Sequence, residues 1–193
     1  MPTKKIGVIV GSLRKESFNR KMAVALGSLA PEGIEFDILE IGDLSLYNQD
    51  LDDTPPEAWV TFRNRLRAVD GVLFVTPEYN RSIPGVLKNA IDIGSRPYGQ
   101  SAWDGKPGAV ISVSPGSVGG FGANHHLRQC LVFLNVPCMQ QPEAYIGGAG
   151  ELFNDQDIIQ NESTRKFLRR FVQSFAKWVN THSLHQAQID IAA

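Results

Sequence analysis

Between Gly11 and Arg20 the chain gathers two hydroxyls (Ser12, Ser17), one amide (Asn19) and one guanidinium (Arg14). An apolar, β-branched run, Ile6-Gly7-Val8-Ile9-Val10, comes before them. Met22, Val24, Ala25, Leu26 and Leu29 follow at helical spacing. Strand, polar loop, helix puts the loop at a helix N-terminus, where unpaired N–H groups and the positive end of the helix dipole attract an anion. Hydroxyls, an amide and an arginine together suit a phosphate. The competing reading is an ordinary helix start, with Ser17 as N-cap and Arg14, Lys15 and Arg20 as solvated charges. A capping box would put Glu or Gln three residues after Ser17, but Arg20 stands there, so no built-in carboxylate fills the anion position. Glu16 must point outward if a phosphate is to sit here.

Two further polar loops have the same setting. Thr76-Pro77-Glu78-Tyr79-Asn80-Arg81-Ser82 follows the apolar run Val72–Val75, and Ser114-Pro115-Gly116-Ser117-Val118-Gly119-Gly120 follows Gly108–Val113. The elements that must position them read as an alternation. A second strand is expected over Gly33–Ile41, then a loop from Gly42 to Pro56 and a helix from Glu57 to about Ala68. Pro84 opens a helix that runs to about Asp92. Another helix runs from Phe121 or Ala123 to Leu134. Val136–Met139 and Ala144–Ile146 supply an interrupted fifth strand. A final helix over Glu162–Asn180 is expected to bury Phe167, Leu168, Phe171, Phe175 and Trp178.

Strands alternating with helices predict an α/β fold, a doubly wound parallel sheet with helices on both faces and right-handed crossovers. Five strands point to the flavodoxin-like order 2-1-3-4-5, whose ligand sits outside the carboxyl ends of strands 1 and 3. A chain of 193 residues suits one domain, here 1–182, with a polar tail at 183–193 that frays. A net charge of −1 is not basic enough to demand nucleic acid or an anionic membrane as a partner. The apolar run after Met1–Lys5 is too short for a secretion signal or a membrane span. Cys130 and Cys138 lack metal or CxxC spacing and read as buried reduced thiols of a cytoplasmic protein. His182 and His185 alone do not make a metal site.

Known phosphate motifs do not fit. The G-x-G-x-x-G dinucleotide fingerprint fails after Gly11, Glu40 at the end of strand 2 reads as a surface residue, and the Walker Gly-Lys-Ser/Thr is absent. Hydroxyls and arginine suit a mononucleotide monophosphate better than a pyrophosphate. The string G-S-L-R-K-x-S-F-N-R, taken with T-P-E-Y-N-x-S-x-P-G-x-L-K-N-A-I-D and Trp103-Asp104-Gly105-Lys106-Pro107, resembles the NAD(P)H-dependent FMN reductases, in the branch of quinone, chromate and azo-compound reductases. The resemblance covers nearly all of residues 4–180.

The resemblance implies that Ser12, Arg14, Ser17, Phe18 and Asn19 hold FMN at its phosphate end. It implies that Pro77, Glu78, Tyr79 and Asn80 line the isoalloxazine, and that Ser114 and Gly116 close the other side. It also implies a homodimer or homotetramer built through helices at Gly85–Ile93 and Ala123–Leu134. Arg81 sits where it can receive the phosphate or carboxamide side of NADPH or NADH, or it is a solvated loop residue. Consecutive N–H groups of Glu78, Tyr79 and Asn80 are expected to face the N1/C2-carbonyl edge of the flavin, with no side chain acting as acid or base.

The expected activity is transfer from NAD(P)H through FMN to a small acceptor, a quinone foremost, with chromate, azo compounds or free flavin also reducible. One rival is a flavodoxin-like electron carrier or flavin-binding protein without turnover, although such carriers are typically strongly acidic. Another is a serine hydrolase using Ser117 with His125 or His126, but Pro115 occupies the place of the first glycine in the nucleophile elbow.

Overall fold

Apolar runs unbroken by polar residues need cover on both faces, and the three central strands receive it. In the computed structural model, which describes residues 3–192 and side chains as far as His182, these strands are β1 (Lys4–Val10), β3 (Gly71–Thr76) and β4 (Gly108–Val113). β2 (Ile34–Ile38) and β5 (Ala144–Ile146) form the edges. All pairings are parallel, in the expected order β2-β1-β3-β4-β5. Val10 pairs with Val75, Thr76 with Ser112 and Val113 with Ile146, so three neighbouring strands end almost level.

The two-residue period of a strand divides the core. Val8, Val10, Leu73, Val75 and Ile111 face α1 (Phe18–Ser28) and α5 (Glu162–Ala192), against Met22, Leu26, Phe171 and Phe175. Ile9, Val72, Phe74 and Val110 face α2 (Glu57–Arg67), α3 (Gly85–Gly94) and α4 (Phe121–Phe133), against Trp59, Leu66, Leu87 and Leu127.

Several boundaries differ from the sequence reading. β2 stops at Ile38 because Leu39 and Ile41 turn inward to join the core on the α2–α3 side. The fifth strand is shorter than expected, and Cys138 makes only an isolated bridge to Gly108. α5 continues past Asn180 to Ala192. The frayed tail expected at 183–193 falls on side chains and a terminus outside the described residues. Phe167 and Trp178 are half-buried rather than buried, and Trp178 Nε1 donates to Pro137 O at 2.7 Å. Both cysteines are free and half-buried, their thiol pKa values pushed up mainly by burial. Among the described residues, no helix is long and apolar enough to cross a membrane.

The segment after β2 carries a 3-10 turn, Gln49–Leu51, that the sequence did not announce. It is pinned by Asn89 of α3, which accepts from Tyr47 N at 2.8 Å and donates to the carbonyls of Leu44 and Ser45. α3 is held in turn by the fully buried Trp103, whose Nε1 donates to Ile91 O at 2.9 Å. A Cβ at Gly94 would stand 2.5 Å from Trp103 Nε1, and Phe62 and Phe74 close off the indole's retreat. Gly94→Ala is therefore expected to cost about 1–3 kcal/mol, the usual overpacking penalty, read as a lower urea midpoint at unchanged slope.

Candidate functional site

β1 hands over to the first loop at Gly11, whose N–H donates to Val75 O at 2.9 Å. A Cβ there would lie 3.1 Å from both Leu87 Cδ2 and Thr76 Oγ1, so glycine lets this loop lie against the end of β3. Ser12 Oγ accepts from Arg14 N at 3.4 Å, and Ser17 Oγ accepts from Arg20 N at 3.2 Å as the N-cap of α1. Each hydroxyl keeps its proton to donate, so helix cap and anion ligand are compatible duties for Ser17. The N–H groups of Phe18 and Asn19, in the first turn of α1, meet no acceptor among the described residues.

The charges around this loop divide clearly. Arg20 makes a two-pronged contact with Glu40, at 2.6 and 3.1 Å, which raises the arginine pKa and lowers that of the carboxyl. Glu40 is thus the surface residue expected. Lys21 pairs with Asp157 at 2.6 Å and with Glu16 at 3.5 Å; Glu16, 70% exposed, points outward. Arg14 lies over the Phe18 ring at 5.7 Å and has no acidic partner among the described residues. Asn19 has an additional duty: it is 4% exposed, and its Nδ2 donates to Val113 O at 3.3 Å, tying α1 to the end of β4. Its Oδ1 is buried without a protein partner.

The second loop ends in a tight hairpin. Tyr79 N donates to Ser82 O and Ser82 N to Tyr79 O, both at 2.9 Å, with Asn80 at φ 51° and Arg81 at φ 65°. Two successive left-handed residues define a type I′ turn. The expectation of three consecutive free N–H groups is therefore corrected: the Tyr79 N–H closes the hairpin, leaving those of Glu78 and Asn80 without a backbone acceptor. Tyr79 is half exposed, so its side chain is not core. Glu78 accepts from Arg81 Nη1 at 2.9 Å and from Ala123 N, in α4, at 3.0 Å.

In the third loop Ser114 Oγ accepts from Gly116 N at 3.2 Å, and Ser112 Oγ donates to Gly119 O at 2.7 Å. Gly116 is exposed, and a Cβ there would meet only Ser114 Oγ, at 3.6 Å, so the protein itself does not demand glycine. Gly119 is demanded: it has φ 65°, and a Cβ would strike Tyr145 backbone carbon at 2.7 Å. Ser117 is exposed, while His125 Nε2 lies 2.8 Å from Tyr145 Oη and His126 Nδ1 lies 2.7 Å from Ser82 Oγ. Both histidines are engaged away from Ser117, and the hydrolase arrangement does not form. Burial, aided by Glu143, pushes the Tyr145 phenol up to about 12.

Three ties thus join the loops in pairs: Gly11 against Thr76, Asn19 to Val113, and Glu78 to Ala123. The donor set fits FMN. Hydroxyls, a free arginine and helix N–H groups suit its phosphate, Asn19 Oδ1 suits a hydroxyl donor, and the open side of Gly116 leaves room for a ring or ribityl chain. Sequence reasoning missed Gly122, where a Cβ would lie 3.0 Å from Glu78 Oε2, and Asn89, whose only signal was an amide inside an apolar helix pattern.

Residues 4–151 match the NADPH-dependent FMN reductase family. A quinone reductase of Pseudomonas putida is 65% identical over 175 residues, covering 90% of this chain and 94% of that one. A 2-hydroxy-1,4-benzoquinone reductase of a Burkholderia species is 50% identical over 175 residues, covering 91% and 96%. Among solved structures, FerB, a flavoenzyme NAD(P)H:(acceptor) oxidoreductase of Paracoccus denitrificans, superposes with a TM-score of 0.89 at 45% identity over 93% of this chain and 99% of its own. With the family model matching most of the chain and these relatives aligning with it almost from end to end, the chain belongs to the NADPH-dependent FMN reductase family.

Proposed function

We propose that this protein is a cytoplasmic quinone reductase whose single domain, residues 1–182, holds FMN across the three loops. Bound there, FMN would supply the redox chemistry, a two-electron transfer between NAD(P)H and the acceptor. The observation that carries the residue assignment is the Arg14 guanidinium, without an acidic partner among the described residues and held over Phe18 beside the first turn of α1. Ser12, Arg14, Ser17 and the N–H groups of Phe18 and Asn19 bind the phosphate. Pro77, Glu78, Tyr79 and Asn80 line one side of the ring system, and Ser114 and Gly116 line the other. The free N–H groups of Glu78 and Asn80 orient the carbonyl oxygens of the ring and stabilise charge gathered there. Pro77 stiffens the entry to this turn. Arg81, with its side chain 81% exposed, receives the anionic part of the nicotinamide nucleotide. The three loops hold no His or Cys, and their one lysine, Lys15, belongs with the phosphate. No side chain is therefore assigned a proton-transfer role.

A homodimer or homotetramer completes this reading. A groove of about 360 Å³ runs between α3 and α4, lined by Lys88, Asp92, His126 and Phe133. Phe133 is 85% and Val132 78% exposed on the same helix, apolar area that a second copy would cover. Light scattering at micromolar protein is expected to give at least twice the 21.2 kDa chain mass; a monomer would remove this part of the proposal. Nucleic acid is no part of this reading, since a net charge of −1 gives no overall attraction to a phosphate backbone.

Arg14→Ala removes one charge-assisted contact, typically worth about 1.5–3 kcal/mol. Fluorescence quenching is expected to show FMN affinity lower by about one to two powers of ten on that scale. The enzyme itself is tested by NADPH oxidation with a soluble quinone, where continuous turnover is expected. A yellow protein that holds flavin yet leaves NADPH untouched would be the electron carrier instead.

A further inference from the structure

Glu78 is the only acid of the second loop, and both of its oxygens are engaged by groups other than the free N–H groups beside it. Oε1 accepts from Arg81 Nη1 at 2.9 Å and Oε2 from Ala123 N at 3.0 Å, with the side chain 12% exposed. α4 begins at Gly120, at φ 76°, and has no side-chain cap of its own. A carboxylate from another loop therefore supplies the missing acceptor, at the end of the helix where negative charge is favoured. Arg81 meanwhile stands in a left-handed conformation that arginine rarely adopts. Its Nη1 contact with Glu78 Oε1 spans the turn, and the contact of Oε2 with Ala123 N ties that turn to α4. A second tie, His126 Nδ1 to Ser82 Oγ at 2.7 Å, fastens the far side of the turn to the same helix.

We propose that Glu78 is a positioning residue. By clamping the Asn80–Arg81 turn to the N-terminus of α4, it fixes the direction of the Glu78 and Asn80 N–H groups and joins the second and third loops into one rigid wall. Gly122 is the other half of the device. A Cβ there would lie 3.0 Å from Glu78 Oε2 and 3.1 Å from Arg81 O, so any side chain would crowd the carboxylate where it reaches Ala123 N. The carboxylate acts through the backbone it holds and takes no part in chemistry. This rests on the reading of the second loop as a wall of the flavin site.

The test uses full-length apoprotein carrying Glu78→Ala, Glu78→Gln, Gly122→Ala or Glu78→Ala with Gly122→Ala. Two quantities are read: FMN affinity by fluorescence quenching, and amide exchange at Tyr79 and Ser82 without flavin. Glu78→Ala and Gly122→Ala are each expected to weaken FMN by about tenfold, the scale of one lost charged hydrogen bond, and to speed exchange at both amides. The double variant is expected to be no weaker than the worse single variant, since both changes open the same contact. Glu78→Gln keeps an acceptor for Ala123 N and should recover most of the loss. Additive losses, or melting temperatures that fall while FMN affinity and exchange stay unchanged, would overturn the clamp. If wild-type apoprotein fails to bind FMN, the reading of the site falls, and the exchange rates alone decide on the clamp.

Discussion

A parallel sheet sends every strand's carboxyl end to the same edge, and the site depends on that constraint. The ladder runs out there almost simultaneously for β1, β3 and β4, at Val10, Thr76 and Val113. Backbone groups beyond these residues must find partners in the loops or be left for a ligand. Gly11 N and Val113 O are claimed, by Val75 O and by the Asn19 amide. The N–H groups of Phe18, Asn19, Glu78 and Asn80 are not claimed by any backbone carbonyl among the described residues. The proposed site is thus assembled from what the sheet leaves over, and contacts such as Asn19 to Val113 and Glu78 to Ala123 tie its loops together.

Charge is apportioned by the same economy. Several cations lie in or beside the Gly11–Arg20 loop, but salt bridges to Glu40, Asp157 and Glu16 occupy Arg20 and Lys21. These exposed pairs add little stability. Their effect is to leave Arg14 as the guanidinium directed by aromatic contact rather than by an acid, next to a helix N-terminus that already favours an anion. The one acid of the second loop is likewise turned away, toward the N-terminus of α4.

Much of this could be read from the sequence. The parallel sheet followed from the alternation of elements and from unbroken apolar runs such as Val72–Val75, and its order from the count of five strands. The candidate anion loop could be picked out because Ser12, Arg14, Ser17 and Asn19 are close in sequence. What escaped depended on contacts across the sequence: Glu78 with Ala123, Asn89 with Leu44, Ser45 and Tyr47, and Asn19 with Val113. Local pattern is silent about such partners. The type I′ turn also hid, since Asn80-Arg81 lacks the glycine that usually marks two left-handed residues. Consequently the Tyr79 N–H could not be known to be spent inside the turn.

The central claim is that the phosphate, held at the start of α1, anchors the cofactor. Comparing FMN with riboflavin tests it most directly, because the two share the ring and the ribityl chain and differ only in that group. Fluorescence quenching of each by the apoprotein should give FMN an affinity at least about a hundredfold higher, the scale of two charge-assisted contacts at their weaker limit. Equal affinity for both would mean that the ring loops hold the flavin unaided, and that the Gly11–Arg20 loop is an ordinary helix start.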